Sequence, residues 1–391
     1  MENLPHNKNT ALRIYIEADS IASTKMSGIG HTTLEIVREL DRLCEKDNQL
    51  VVTLILPYGT AATTDSYKFK NIGRKYLPRG QRYINTLLVK TGLPLPVDLF
   101  FGRGVYIFPN YKTWWTPFSN SITFVHDVVF LAHPETVQPI NLIYLQKHFE
   151  RWLQRATKII TISQATADEL CRFLPAYKKK IAVVPLGVDL NYFKPQPKSL
   201  IVAAQKKYNL PSEYLLYVGN LEPRKNIGTL LAAYQLYADA EDSCLPLVLV
   251  SGGGWKNEST LEQIANMQTA GYRISLPAEY VLDDDLPAIY SGARALVHVA
   301  IHEGFGLPPL QAQACGVTLI VSDLAVIKEV VNASHAHFVN PKVISEIAVA
   351  MKAVTHESPI TSSYKTKLTW SSTVQQLLSI SRILSKNNEV T

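Results

Sequence analysis

What most constrains this chain is a series of short apolar runs, rich in Val, Ile and Leu, that alternate with helix-like segments. The runs lie at 12–16, 50–56, 122–125, 158–162 and 181–184, then at 214–218, 247–250, 295–299 and 317–321. A strand with one wet face alternates apolar and polar residues, whereas a strand covered by helices on both faces is apolar almost throughout. These runs are of the second kind. They predict an α/β fold built on parallel sheets.

At 391 residues the chain is longer than one core usually grows, so two bodies are expected. The segment 185–195, PLGVDLNYFKP, has no periodicity and a proline at each end, and it precedes a new helix and strand. The reading is therefore a first Rossmann-like domain over 1–195, a second over 196–368, and a closing segment over 369–391. That last segment reads as an amphipathic helix with apolar positions at Trp370, Val374, Leu377, Leu378 and Leu384, interrupted by Ser381. It needs a surface to pack on. Open parallel sheets bind ligands beyond their C-terminal strand ends, which places the expected site in the cleft between the two sheets.

Apolar residues at 47% and charged residues at 18% describe an ordinary globular chain. The net charge of +6 is mild and gives no reason to expect a nucleic acid partner. Part of it is concentrated: Lys68, Lys70, Arg74, Lys75, Arg79, Arg82 and Lys90 are interleaved with Tyr67, Phe69, Tyr76, Tyr83, Leu87 and Leu88. A solvated face explains this stretch, and 67–90 also suits an anionic surface, a membrane among them. The four cysteines form no CxxC pair, which points to a reduced compartment and no thiolate metal site. MENLPHNKNT has no apolar core of a signal peptide, and no run approaches 18 apolar residues. A cytoplasmic protein is expected, at most peripheral on the inner membrane face.

Four segments can carry chemistry. Ser27-Gly-Ile-Gly-His-Thr-Thr33 follows the first strand and leads into a helix expected at 34–43; Gly28 and Gly30 permit close approach of a phosphate or sugar, or simply make a turn and cap. His126-Asp127 ends the run 121–125, where the histidine can bond a substrate hydroxyl, offer its carbonyl, or cap the next turn. Gly219-Asn-Leu-Glu-Pro-Arg-Lys-Asn226 sets Arg224 and Lys225 between a strand and a helix N-terminus, a pocket suited to a diphosphate. His302-Glu-Gly-Phe-Gly-Leu-Pro-Pro309 places Glu303 on a glycine-rich loop beside the amides of Phe305, Gly306 and Leu307, with Gln311 on the helix that follows. Such a carboxylate can bond sugar hydroxyls and support positive charge at an anomeric carbon. Asp283-Asp-Asp285 looks like a metal motif but reads better as a helix cap.

The combination resembles family 4 of the retaining glycosyltransferases, whose fold is GT-B, over nearly the whole chain, and it is most similar to the bacterial mannosyltransferase-type members. The residues that carry this are Ser27 to Gly30, His126 to Phe130, Val184 to Asp189, Glu222 to Asn226 and Glu303 to Pro309. The resemblance implies a glycine loop near donor phosphate and acceptor at Gly28 and Gly30, and a cleft histidine at His126. It implies phosphate cations at Arg224 and Lys225, following the turn at Gly219. The first acid of the family's Glu-x7-Glu motif, which bonds the donor sugar, falls on Glu303, with amides from Phe305, Gly306 and Leu307 beside it. The nucleobase is expected near Tyr280 and Val281. The family needs no metal or other cofactor, and its C-terminal helix crosses back to the first domain.

There are departures. The second acid of that motif, which bonds the ribose, falls on Gln311. Losing the charge costs the hydrogen bond about 1 kcal/mol. The usual Pro-Ser is Val299 and Ala300 here, and only Glu329 remains of a usual Ser-x-x-Pro-Glu-Val, as though part of the donor site were kept. The function expected is transfer of a hexose, mannose favoured, from a nucleotide diphosphate sugar to a glycan or lipid-linked acceptor in surface polysaccharide assembly. GDP-mannose is the first choice of donor and a UDP-sugar the second. Catalytic roles fall on Glu303, His126, Arg224 and Lys225. The alternatives are a hydrolase or epimerase on the same fold, and a silent homologue acting as a glycan-binding or regulatory partner.

Overall fold

A computed structural model describes residues 11–23, 26–79, 96–357, 364 and 366–387. Among them, two wholly parallel sheets form. The first orders its seven strands β3-β2-β1-β4-β5-β6-β7, where β1 is Leu12–Glu17, β2 Leu50–Leu56, β3 Gly73–Tyr76, β4 Val105–Phe108, β5 Asn120–Val125, β6 Lys158–Thr161 and β7 Ile181–Val183. The second orders six strands β10-β9-β8-β11-β12-β13, where β8 is Leu215–Val218, β9 Leu247–Val250, β10 Ile274–Ser275, β11 Ala295–His298, β12 Thr318–Ser322 and β13 Ala336–Val339. Six flanking helices bear on the site: α1 (Gly28–Cys44), α2 (Gln164–Phe173), α3 (Ile227–Asp239), α4 (Leu307–Ala314), α5 (Ala325–Val330) and α6 (Trp370–Asn387).

The apolar runs are strands as expected, and the central ones are buried on both faces: every residue of β9, β11 and β12 is buried, whereas the edge strand β7 is half-buried throughout. Strands β3, β4, β10 and β13 were not anticipated. For β3 and β10 the reason is local, whereas Val105–Phe108 of β4 is a buried apolar run that the sequence reading passed over. Gly73-Arg-Lys-Tyr76 is a polar edge strand, mostly exposed, and Ile274-Ser275 is two residues long. Neither generates an apolar run. The strand order of each sheet reverses beside its first strand, with β1 between β2 and β4, and β8 between β9 and β11. At such a switch point neighbouring loops leave to opposite sides and open a crevice.

Helix α6 crosses back onto the first sheet's side, packing on α1. Val374, Leu377, Leu378 and Leu384 are buried, and Ser381, which breaks the stripe, is buried too, its hydroxyl donating to the Leu377 carbonyl at 2.8 Å. Thr373 donates to Pro185 O and Asn120 to Leu384 O, both at 2.7 Å. Gly187 sits where a Cβ would come 2.2 Å from the backbone of Thr369, so only glycine fits under this crossing.

Of the basic stretch 67–90, residues up to Arg79 are described; Arg82, Tyr83, Leu87, Leu88 and Lys90 lie outside. Tyr67 and Phe69 pack on the core, with the Tyr67 hydroxyl donating to Ile21 O at 3.1 Å. Arg74 pairs with Asp65 and Lys75 donates to Phe101 O at 2.7 Å. These side chains are therefore engaged within the protein. Among the described residues, no helix is long and apolar enough to cross a membrane.

Candidate functional site

Adjacency of β8 and β11 brings two loops together. After β8 the chain makes a tight turn at Pro223–Lys225, and Asn226 takes a left-handed conformation at φ 61° before α3 begins. Asparagine tolerates that region because its short polar side chain bonds locally. Here the amide donates to Val299 O at 3.1 Å and Pro341 O at 2.7 Å, and Ile301 N donates to Arg224 O at 2.9 Å. The turn is stitched to the loop that follows β11, and Glu303 meets Arg224 and Lys225. Arg224 reaches Glu303 at 3.2 Å and Lys225 pairs with its other oxygen. A third donor is His298, the last residue of β11, whose Nε2 lies 2.7 Å from Glu303 Oε1.

The side chain of Glu303 is 8% exposed and that of Lys225 9%. Burial alone would raise the Glu303 carboxyl, but Lys225 and Arg224, with the His298 hydrogen bond, outweigh it and hold the group well below the usual carboxylate range. Glu303 is ionised. Burial lowers the Lys225 ammonium, with the Glu303 charge opposing, and lowers His298 as well. The centre is thus a buried carboxylate under two cations and a neutral imidazole.

The first sheet supplies the facing wall. A Cβ on Gly304 would stand 1.9 Å from the carbonyl oxygen of His126, so the loop of Glu303 lies flat on the end of β5. Ser163 donates to Gly304 O at 2.9 Å and Thr166 at 3.3 Å. His302 pairs with Glu169 of α2 at 2.8 Å. The His126 ring is buried and its Nε2 sits 2.6 Å from Pro109 O, so that nitrogen is committed to the backbone as a donor; burial keeps the ring neutral. Asp127 does not orient it, and instead accepts from Tyr111 and from Val129 N. The segment at Gly28 and Gly30 is no loop but the first turn of α1, capped by Ser27, because serine at this position satisfies a free amide. A Cβ on Gly30 would meet Ser20 O at 2.8 Å, whereas Gly28 faces open space.

Around the cluster, Gly219 turns with φ 147° and Gly306 with φ 98°, and Gly306 is the N-cap of α4. Phe305 is buried, while Leu307 opens the helix at its rim. In that first turn Pro308 and Pro309 carry no N–H and Leu310 N donates to Gly306 O at 3.2 Å, so the N–H the turn can offer beyond the helix start is that of Leu307. Gln311, one turn further on, accepts at Oε1 from the Tyr290 hydroxyl at 3.1 Å. Tyr280 is 60% exposed and approaches Gly252, but Val281 is buried in the core. Asp285 does not cap its helix through its side chain; it bonds Lys207 at 2.7 Å and Tyr208 at 2.6 Å. Among the described residues no group of three or more His, Cys, Asp or Glu is placed to hold a metal.

Two family models match the chain: "Glycosyltransferase Family 4" over residues 96–192 and "Glycosyl transferases group 1" over 202–367, together more than half of it. The chain belongs to glycosyltransferase family 4. It is similar to the O-antigen chain mannosyltransferase B of Escherichia coli, 32% identical over 54% of this chain and 55% of that protein. It is also similar to the serotype-specific mannosyltransferase WbdA of E. coli, 27% identical over 77% of this chain and 37% of that one. This family 4 chain thus spans about half, or less, of the length of these relatives. In fold it matches Anabaena HepE, solved in complex with UDP and glucose, with a TM-score of 0.62, 15% identity, and coverage of 96% of this chain and 95% of that one. The architecture is GT-B.

Within this family 4 chain, three site residues escape a reading by motif. His298 hides inside the apolar run 295–299, where its one signal is a histidine in an otherwise aliphatic strand. Tyr111 and Ser163 lie far along the sequence from any motif and reach the site only through folding. Glu329 was expected as a remnant of the donor site. It instead accepts the backbone N–H groups of Gln164 and Ala165, at 2.8 and 2.7 Å, at the start of α2 across the cleft.

Proposed function

We propose that this chain is a metal-independent retaining glycosyltransferase that moves a hexose, mannose favoured, from a nucleotide diphosphate sugar to a glycan or lipid-linked acceptor in surface polysaccharide assembly. The observation that carries the reading is the buried cluster of Arg224, Lys225 and Glu303 at the switch point of the second sheet. Two cations beside a carboxylate at a strand end can hold a diphosphate and a sugar side by side. The names of the mannosyltransferase relatives support mannose, hence GDP-mannose first; the UDP in HepE keeps a UDP-sugar second.

In this reading Arg224 and Lys225 neutralise the departing diphosphate, and Glu303 with the amides at Phe305, Gly306 and Leu307 positions the hexose. The bond from the anomeric carbon to the phosphate oxygen breaks. The acceptor oxygen bonds that carbon on the same face, and its proton passes to the leaving phosphate oxygen. The acceptor enters from the end of β5, past His126, and from the first turn of α1 at Gly28 and Gly30. Gly219 and Tyr280 flank the nucleotide, with Val281 supporting from the core, and Gln311 turns its amide to the ribose. The chain divides into a first domain, 1–195, a second, 196–368, and a returning segment, 369–391. The working place is the cytoplasm, with 67–90 the part offered to an anionic membrane face.

Calorimetry of the protein against GDP, UDP, dTDP, ADP and their sugar conjugates, without added metal, tests this. Binding of one nucleotide family, weakened at least tenfold in Arg224→Ala, is the expected result. No binding by any of them to the folded protein refutes the reading.

A further inference from the structure

We propose that His298 is a positioning residue that holds Glu303 in place when its two cations turn to the donor's diphosphate, an inference that rests on the donor-site reading above. Glu303 has three donors, and two of them, Arg224 and Lys225, are the charges a diphosphate would compete for. An ionised carboxylate this buried cannot be left without a partner. The remaining donor must be one that phosphate does not attract and that cannot swing away.

His298 meets both conditions. It ends β11, its side chain is 1% exposed, and its ring lies parallel to Tyr217 at an interplanar angle of 10°. Carboxylates only accept, so the 2.7 Å contact makes Nε2 a protonated nitrogen; burial disfavours the charged ring, which places the lone pair on Nδ1. Among the described residues that buried Nδ1 has no hydrogen-bond partner. An imidazole with one nitrogen unsatisfied is a poorer strand residue than the Val and Leu around it. Among the described residues its one hydrogen bond is to Glu303, and that contact is what the residue contributes. A fixed neutral donor beneath the carboxylate keeps one oxygen in register, so that the other can meet a sugar hydroxyl while the cations move.

The role predicts a split that a merely structural residue does not give. GDP and UDP report the diphosphate site alone; GDP-mannose and UDP-glucose report it together with the sugar site. In His298→Leu, affinity for the nucleotide diphosphate that the wild type binds is expected to stay within about twofold, while its sugar conjugate weakens by roughly tenfold and kcat falls more than KM rises. His298→Gln, which retains an N–H donor at similar reach, restores most of both. Parallel weakening of nucleotide and conjugate, or no change in either, overturns the inference. Should the leucine variant fail to fold, ring nitrogen NMR of the wild type decides. A neutral Nε2–H tautomer that persists at saturating GDP or UDP supports the role, and an Nδ1–H tautomer or loss of the Nε2 proton on nucleotide binding overturns it. A wild type that binds both nucleotide and conjugate leaves the donor-site reading standing whatever His298 does, whereas one that binds neither refutes that reading and this inference with it.

Discussion

Glu17 is the last residue of the central strand β1, at the C-terminal end of the first sheet, and it is 8% exposed. Its carboxylate accepts from Asp19 N at 3.2 Å. Burial, then the charge of Asp19, push its carboxyl up from 4.5 to about 7, with Lys112 opposing. The folded protein therefore binds this proton more tightly than the unfolded chain does, and stability falls as pH rises from about 4.5 to about 7. Above that window the charged form costs the fold roughly 3 kcal/mol. Glu17→Gln is expected to raise the melting temperature at pH 8 and to leave it nearly unchanged at pH 4; equal shifts at both would refute the assignment. A second single-residue test concerns Gln311, whose Oε1 already takes the Tyr290 hydroxyl. Gln311→Glu keeps that bond and offers a charged acceptor in place of the amide donor. Nucleotide affinity should rise by about fivefold in calorimetry, and no change would place Gln311 away from the ribose.

At the scale of elements, α2 shows how a helix end can be finished by another part of the chain. Ser163 caps it locally, and Glu329 of α5 supplies a carboxylate to its first amides from the opposite side of the cleft. Negative charge is favourable at a helix N-terminus. Glu329→Gln should cost about 1 kcal/mol, seen as a small loss in melting temperature without loss of nucleotide affinity. A fall in affinity alone would instead return Glu329 to the donor site. The sequence predicted most strands from apolar runs, though it passed over Val105–Phe108, and helices where stripes were regular. It missed β3 because a polar edge strand leaves no run, and it began α1 six residues late because two glycines read as loop. Ser27 could have marked that start, since its hydroxyl satisfies Gly30 N.

For the whole molecule, the decisive contact is Gly304 lying on the His126 carbonyl, flanked by Ser163, Thr166 and the His302–Glu169 pair. A methyl group there has no room against the His126 backbone, whose oxygen it would meet at 1.9 Å. Gly304→Ala is expected to hold the two halves apart, lowering kcat/KM by tenfold or more and enlarging the radius in small-angle scattering, while nucleotide binding persists; a compact, active variant would show that the halves close some other way. The sequence by itself determined the α/β class, the family, and Glu303, Arg224 and Lys225 as the chemically loaded residues, because those depend on local periodicity and on motifs read within a few residues. Tertiary structure alone decided that the three meet over His298, that His126 spends its Nε2 on Pro109, and that Glu329 serves α2. Those partners lie on separate loops and strands, and only the strand order of the two sheets and the way their edges face each other set such distances.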